Sequence, residues 1–125
     1  METMGKGKKR NFICIISHDI FTSSYKDFMF LPKREVQKPG ESIEKSLNRM
    51  VSEFGDLPPY NLHYIIYLDN TKILRSNIKE KYKNQLLNDW IKGEDVVKII
   101  KFIRKFCKML EIKYEDYEYI DYKIK

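Results

Sequence analysis

The chain is poor in the residue types that most often hold transition metals: its 125 residues include only two cysteines and two histidines. Cys14 and Cys107 lie far apart and no Cys-x-x-Cys pair exists, which argues against a structural zinc site. Both thiols have apolar neighbours and read as free and buried, as in a reducing compartment. An intracellular location, cytoplasmic or nuclear, is therefore expected. No apolar run approaches the roughly 20 residues needed to span a bilayer, so no membrane partner is expected. Met1 to Arg10 is basic and polar with no apolar centre, which excludes a secretory signal. Residues 1–10 read as a basic flexible tail and 11–125 as one domain. Internal repeats are absent as well.

What the chain does have is enough apolar sequence for a core. Hydrophobic residues make up 42% and charged residues 34%, a balance that predicts a folded domain rather than a disordered one. The formal net charge is +6 and is unevenly spread. Thr71 to Leu110 carries eleven Lys or Arg against four Asp or Glu, whereas the last fifteen residues carry five acids against three lysines. A basic middle favours anionic partners such as RNA or a nucleotide.

Asn11 to Ile16 is a β-branched and aromatic run, read as a buried strand, and Asp27 to Leu31 as a second, ended by Pro32. Lys33 to Gly40 reads as a loop. Ser42 to Phe54 has Ile43, Leu47, Met50 or Val51, and Phe54 on one stripe, which predicts a helix capped by Ser42 and closed at Gly55. Tyr60 to Leu68 is the strongest strand signal, with Leu62, Tyr64, Ile66 and Leu68 on one face. The four-residue spacing of Ile78, Tyr82, Leu86 and Trp90 predicts a second helix ending near Gly93. Asp95 begins a third, with Val96, Ile99 or Ile100, Ile103, Phe106 or Cys107, and Leu110 inward. The alternation in Tyr117-Glu118-Tyr119 and Tyr122-Lys123-Ile124 predicts a late strand. The class is α+β, or α/β, with a mixed β-sheet flanked by helices.

Leu31-Pro32-Lys33, then Pro39-Gly40-Glu41, then Arg49, Val51 and Glu53 on the following helix follow the order of a known motif. They resemble the Nudix box of the hydrolases that split nucleoside diphosphates linked to another group. Glu41 stands at the box's first glutamate, Arg49 at its arginine, Val51 at its aliphatic position, and Glu53 at the first of its paired glutamates. The family holds Mg²⁺ with carboxylates one turn apart on a single helix face. Here Glu35 stands at the opening glycine, Met50 replaces one helix glutamate and Phe54 another.

The resemblance implies a trimmed Nudix-like sandwich with an eroded cation site, as in non-hydrolytic members of the family. A nucleotide- or RNA-binding or structural subunit is then expected, with no cofactor. If hydrolysis survives, Glu53, Glu41 and Arg49 are its candidates, with Glu53 as the Mg²⁺ ligand. A small protein-interaction subunit unrelated to the family, acting in a larger complex, is the third reading. Lys98, Lys101, Arg104, Lys105 and Lys108 line one side of the third helix and are the candidate phosphate contacts. Ser17, His18 and Asp19 are adjacent in sequence, which says nothing about a spatial triad, and His63 reads as structural.

Overall fold

The computed structural model describes residues 10–17, 27–31, 36–52, 60–87, 90–92 and 95–124. Along the chain run β1 (Arg10–Ser17), β2 (Asp27–Leu31), β3 (Val36–Gln37), α1 (Ile43–Ser52) and β4 (Tyr60–Tyr67). Then come α2 (Thr71–Lys81), a 3₁₀ turn (Lys83–Gln85), β5 (Leu86–Leu87), β6 (Trp90–Lys92), α3 (Val96–Met109) and β7 (Glu115–Ile124). The strands form one seven-stranded sheet in the order β5-β6-β2-β1-β4-β7, with β3 pairing β1.

Every ladder among the described residues is antiparallel, so the expected mixed pairing is replaced by an antiparallel sheet of the α+β class. The pairing follows from the connections. Parallel neighbours need a crossover of about a dozen residues or more, usually a helix. The β5–β6 hairpin is far too short for that, and the strands joined through a helix run the same way but are not neighbours in the sheet: β3 and β4 across α1, β4 and β5 across α2, and β6 and β7 across α3.

Alternation along β1 sends its side chains to two cores. Ile13 and Ile15 meet Tyr64, Ile66 and Leu68 of the β4 segment, roofed by Leu74 and Ile78 of α2 and by Ile99, Ile100, Ile103 and Cys107 of α3. Phe12, Cys14 and Ile16 meet Leu62, Ile65 and Tyr67 on the other face, covered by Leu47 of α1. Helices thus lie on both faces of the sheet. Leu47 is fully buried, which contributes about 1.5–3 kcal/mol of transfer free energy.

Leu62 does not share a face with Tyr64, as simple alternation predicts. The β1–β4 register passes from Ile15↔Tyr64 to Ile16↔Leu62, leaving His63 as the extra residue of a bulge. One extra residue reverses the facing of everything beyond it.

The helix starts are set by short polar caps. Ser42 Oγ accepts from the Lys45 N–H at 3.1 Å, Asn70 Oδ1 from Ile73 at 3.4 Å, and Asp95 Oδ1 from Val97 at 2.9 Å. At the end of α3, Ile112 N–H reaches the Cys107 carbonyl at 2.9 Å and Glu111 takes φ 54°, a Schellman-type stop with glutamate where glycine is usual. Leu110 consequently turns out to 50% exposure instead of facing inward.

The second helix differs most from expectation. It begins at Thr71, stops at Lys81, and the stretch read as its second half is the β5–β6 hairpin. Leu86 pairs with Ile91 and Leu87 with Trp90. Asn88 and Asp89 between them are weak helix formers and favour turns. The hairpin joins the sheet through β2, where Phe28 pairs with Ile91. Arg10, assigned to the tail by composition, is the first residue of β1 and pairs with Gln37.

Candidate functional site

The segment that carries the box resemblance is built as a braced turn. Lys38-Pro39-Gly40-Glu41 closes with a Glu41 N–H to Lys38 carbonyl bond of 3.0 Å, and Gly40 has φ 77°. Proline then glycine at the centre fits a type II turn, whose third residue needs positive φ. The turn delivers Glu41 to the start of α1. Its Oε1 accepts from the Lys38 N–H (3.0 Å), the Ser46 hydroxyl (2.7 Å) and Arg49 (2.9 Å), and Oε2 accepts from Arg49 Nε (3.3 Å). Gln37 donates to the Glu41 carbonyl at 2.6 Å and accepts from the Tyr67 hydroxyl at 2.6 Å.

The Arg49 hydrogen bonds, then those from Ser46 and Lys38, hold the Glu41 carboxyl down from 4.5 to about 2. A carboxylate with so many internal donors has little left to offer a cation. The separation of Glu41 and Arg49 in sequence therefore serves a loop-to-helix clamp. Glu35, Glu53 and Phe54 lie outside the described residues, as do the side chains of Met50 and Val51. Among the described residues no three His, Cys, Asp or Glu side chains gather where they could hold a metal ion.

The five cations expected on α3 do not act alike. Arg104 Nε donates to Asp116 Oδ2 at 2.8 Å and its terminal nitrogen reaches Glu118 at 2.9 Å. Asp116 Oδ2 also accepts from the Tyr64 hydroxyl at 2.7 Å. Burial and the neighbouring Asp116 push the Tyr64 hydroxyl far up, so it stays a donor. The Asp116 bond raises Arg104 in turn. Arg104 is thus removed from the candidate phosphate contacts. It sits on the β7 side of α3 and fastens that helix to the strand.

Lys98, Lys101 and Lys105 fall on a different stripe, at helical spacing. They face the end of α2 across an open cleft of about 370 Å³ lined by Lys81, Tyr82, Lys98, Lys101, Phe102 and Lys105. Lys108 is exposed on the last turn of α3, outside that lining. Tyr82 is buried and meets Phe102 edge-on, with centroids 6.1 Å apart at 79°. Phe102 stacks on Phe106 at 6.3 Å and 27°, and Lys81 Nζ stands 5.8 Å from its centroid. Among the described residues the cleft lining has four lysines and no carboxylate. Glu80, the one acid within α2, reaches Lys83 at 3.2 Å.

Sequence pattern alone does not mark Lys81 or Phe102, and it places Tyr82 only on an apolar helix stripe. Lys81 is the last residue of α2 and meets α3 only through the tertiary packing of the two helices, which no local window of sequence contains. Arg10, the one described residue of the basic N-terminal run, is spent locally: it reaches Glu115 at 2.7 Å and lies 3.7 Å over the Tyr67 ring. Lys6 to Lys9 lie outside the described residues.

A Ser17 hydroxyl to His63 Nε2 contact of 2.7 Å sits at the β1–β4 bulge, with Ser17 only 2% exposed. That burial gives a nucleophile no access to substrate, and the bond satisfies a polar pair at an irregular point of the sheet. No helix among the described residues is long and apolar enough to cross a membrane. No protein-family model, curated protein or solved structure matches this chain.

Proposed function

We propose that this domain binds the phosphates of RNA at the α2–α3 cleft and does not hydrolyse its ligand. The observation that carries the reading is the convergence of Lys81, Lys98, Lys101 and Lys105 from two helices on one cleft, with no acid among its described lining residues. Like charges repel, so ammonium groups gathered at one cleft favour an anion there. On this reading the domain is a non-hydrolytic, Nudix-like one, in which the remnant of the box serves as scaffold. The support for that part is Glu41, whose carboxylate is occupied by Arg49, Ser46 and Lys38.

Fluorescence anisotropy with a labelled RNA oligonucleotide across a salt series tests the binding. Substituting Lys81, Lys101 and Lys105 by glutamine should weaken binding, each lost contact lowering the slope of log affinity against log salt by about 0.7 for a single strand and 0.9 for a duplex. Arg104→Gln should leave the slope unchanged while reducing stability. Binding that is undetectable at low salt, or indifferent to the three lysines, refutes the reading and favours a protein partner instead.

A further inference from the structure

We infer that the cleft selects single-stranded RNA by taking one unstacked base against Phe102, an inference that rests on the phosphate-binding reading above. Three features of the cleft point there. The first is size. About 370 Å³ lies at the small end of the range of roughly 300–1,000 Å³ typical of small-molecule sites, enough for one base and its sugar. A concave site of that size cannot enclose a duplex.

The second is the aromatic content. Phe102 is only partly buried, and it is backed by the edge of Tyr82 and by the stacked ring of Phe106. A ring held on two sides is a preorganised platform, and base–aromatic stacking tolerates any base because each has a π-face. Bases in a duplex are already stacked on one another and present only their edges, so this platform has no use for them.

The third is the order of charges around that ring. Lys98, Lys101 and Lys105 advance along α3 over seven residues, about 10.5 Å of axis. That length exceeds the axial rise of about 3.4 Å per nucleotide of one duplex strand, so the row is long enough to meet more than one phosphate of a strand. Lys81 faces them from α2 and already lies 5.8 Å from the Phe102 centroid. A base arriving on the ring replaces that cation, which then turns to the base's own phosphate. The site is thus a stacking platform with a row of cations beside it, the pairing that single-strand binders use.

The experiment compares a labelled single-stranded oligouridine with an RNA duplex of equal phosphate count, using the full chain. Oligouridine should bind more tightly than the duplex. Phe102→Leu keeps the apolar packing and removes the ring. It should weaken oligouridine binding by roughly 5- to 150-fold, leaving duplex affinity and the salt slope unchanged. Phe102→Trp, which restores a stacking face, should recover the affinity. Equal affinity for both RNAs, or equal losses on both with Phe102→Leu, overturns the inference while leaving phosphate binding intact. Competition by uridine monophosphate at the same affinity as the oligonucleotide also overturns it, because the site would then be a mononucleotide pocket. Absence of salt-dependent binding to either RNA refutes the phosphate reading itself.

Discussion

Replacing Glu41 by glutamine keeps the shape of the side chain and one carbonyl acceptor but removes the charge that Arg49 faces. The carboxyl is held from 4.5 down to about 2 by Arg49, Ser46 and Lys38. At about 1.36 kcal/mol per unit, that depression corresponds to a ceiling of about 3 kcal/mol of stability at neutral pH. Glu41 has a side chain 8% exposed, but Arg49 is 36% exposed, so solvent screens part of the pair. Glutamine also still accepts from Lys38 or Ser46. A loss of about 2 kcal/mol at pH 7 is therefore expected for Glu41→Gln.

Because the folded value is depressed, this stabilisation is complete above the unfolded value near 4.5 and disappears as pH falls through about 2. Urea unfolding of both proteins from neutral pH downward should show curves that stand apart at pH 7 and converge in that acid window. The measurement also separates scaffold from catalyst. A brace gives the same difference with or without Mg²⁺. A difference below about 0.5 kcal/mol at pH 7, or one that does not narrow in acid, refutes the clamp. Stabilisation of the wild type by millimolar Mg²⁺ that Glu41→Gln abolishes would return Glu41 to the role of cation ligand.

Incubation with Mg²⁺ or Mn²⁺ and dinucleoside polyphosphates, nucleoside diphosphate sugars or capped RNA should yield no turnover near the common enzyme rate of about 10 per second. Such turnover, lost with Glu53→Gln, would restore the hydrolase reading. Glu111 has φ 54° at the end of α3. Glu111→Gly should therefore raise stability by about 0.5–1 kcal/mol in urea unfolding, since the left-handed conformation costs non-glycine residues about 1–2 kcal/mol and glycine loses part of that gain in chain entropy. Cys107 is fully buried, and burial pushes its thiol up to about 11. Its alkylation by iodoacetamide at pH 8 should proceed only as fast as the protein opens, and should accelerate to the free-thiol rate in denaturing urea.

The elements read correctly from sequence are those whose signals are local. The strand at Asp27–Leu31 is matched at both ends, and α3 starts at the aspartate that caps it. Ser42 accepts from Lys45 as the cap position predicts. Calling Ile78, Tyr82, Leu86 and Trp90 a helix failed for a nonlocal reason. Four-residue spacing of apolar residues is consistent with one helix stripe. It is equally consistent with a helix followed by a hairpin whose residues pair with β2. Deciding between them requires knowing that β2 has an open edge, which no local window contains. The facing of Leu62 failed similarly, because the bulge at His63 is a property of two strands in register and not of either alone.

The site shows the same division. Sequence counts cations but not their partners. Arg104 and its neighbours on α3 look alike in the chain, yet Arg104 lies one step around the helix from Lys101 and Lys105 and meets the acids of β7. Arg10 likewise meets Glu115 of that strand. The acidic C-terminal strand therefore takes up Arg10 and Arg104 on its own side of the molecule, whereas Lys101 and Lys105 face the α2–α3 cleft. The uneven charge visible in the sequence is thereby converted into a directed one. Under the proposed reading, an RNA strand meets a cleft lined by Lys81, Lys98, Lys101 and Lys105, with no carboxylate among the described lining residues.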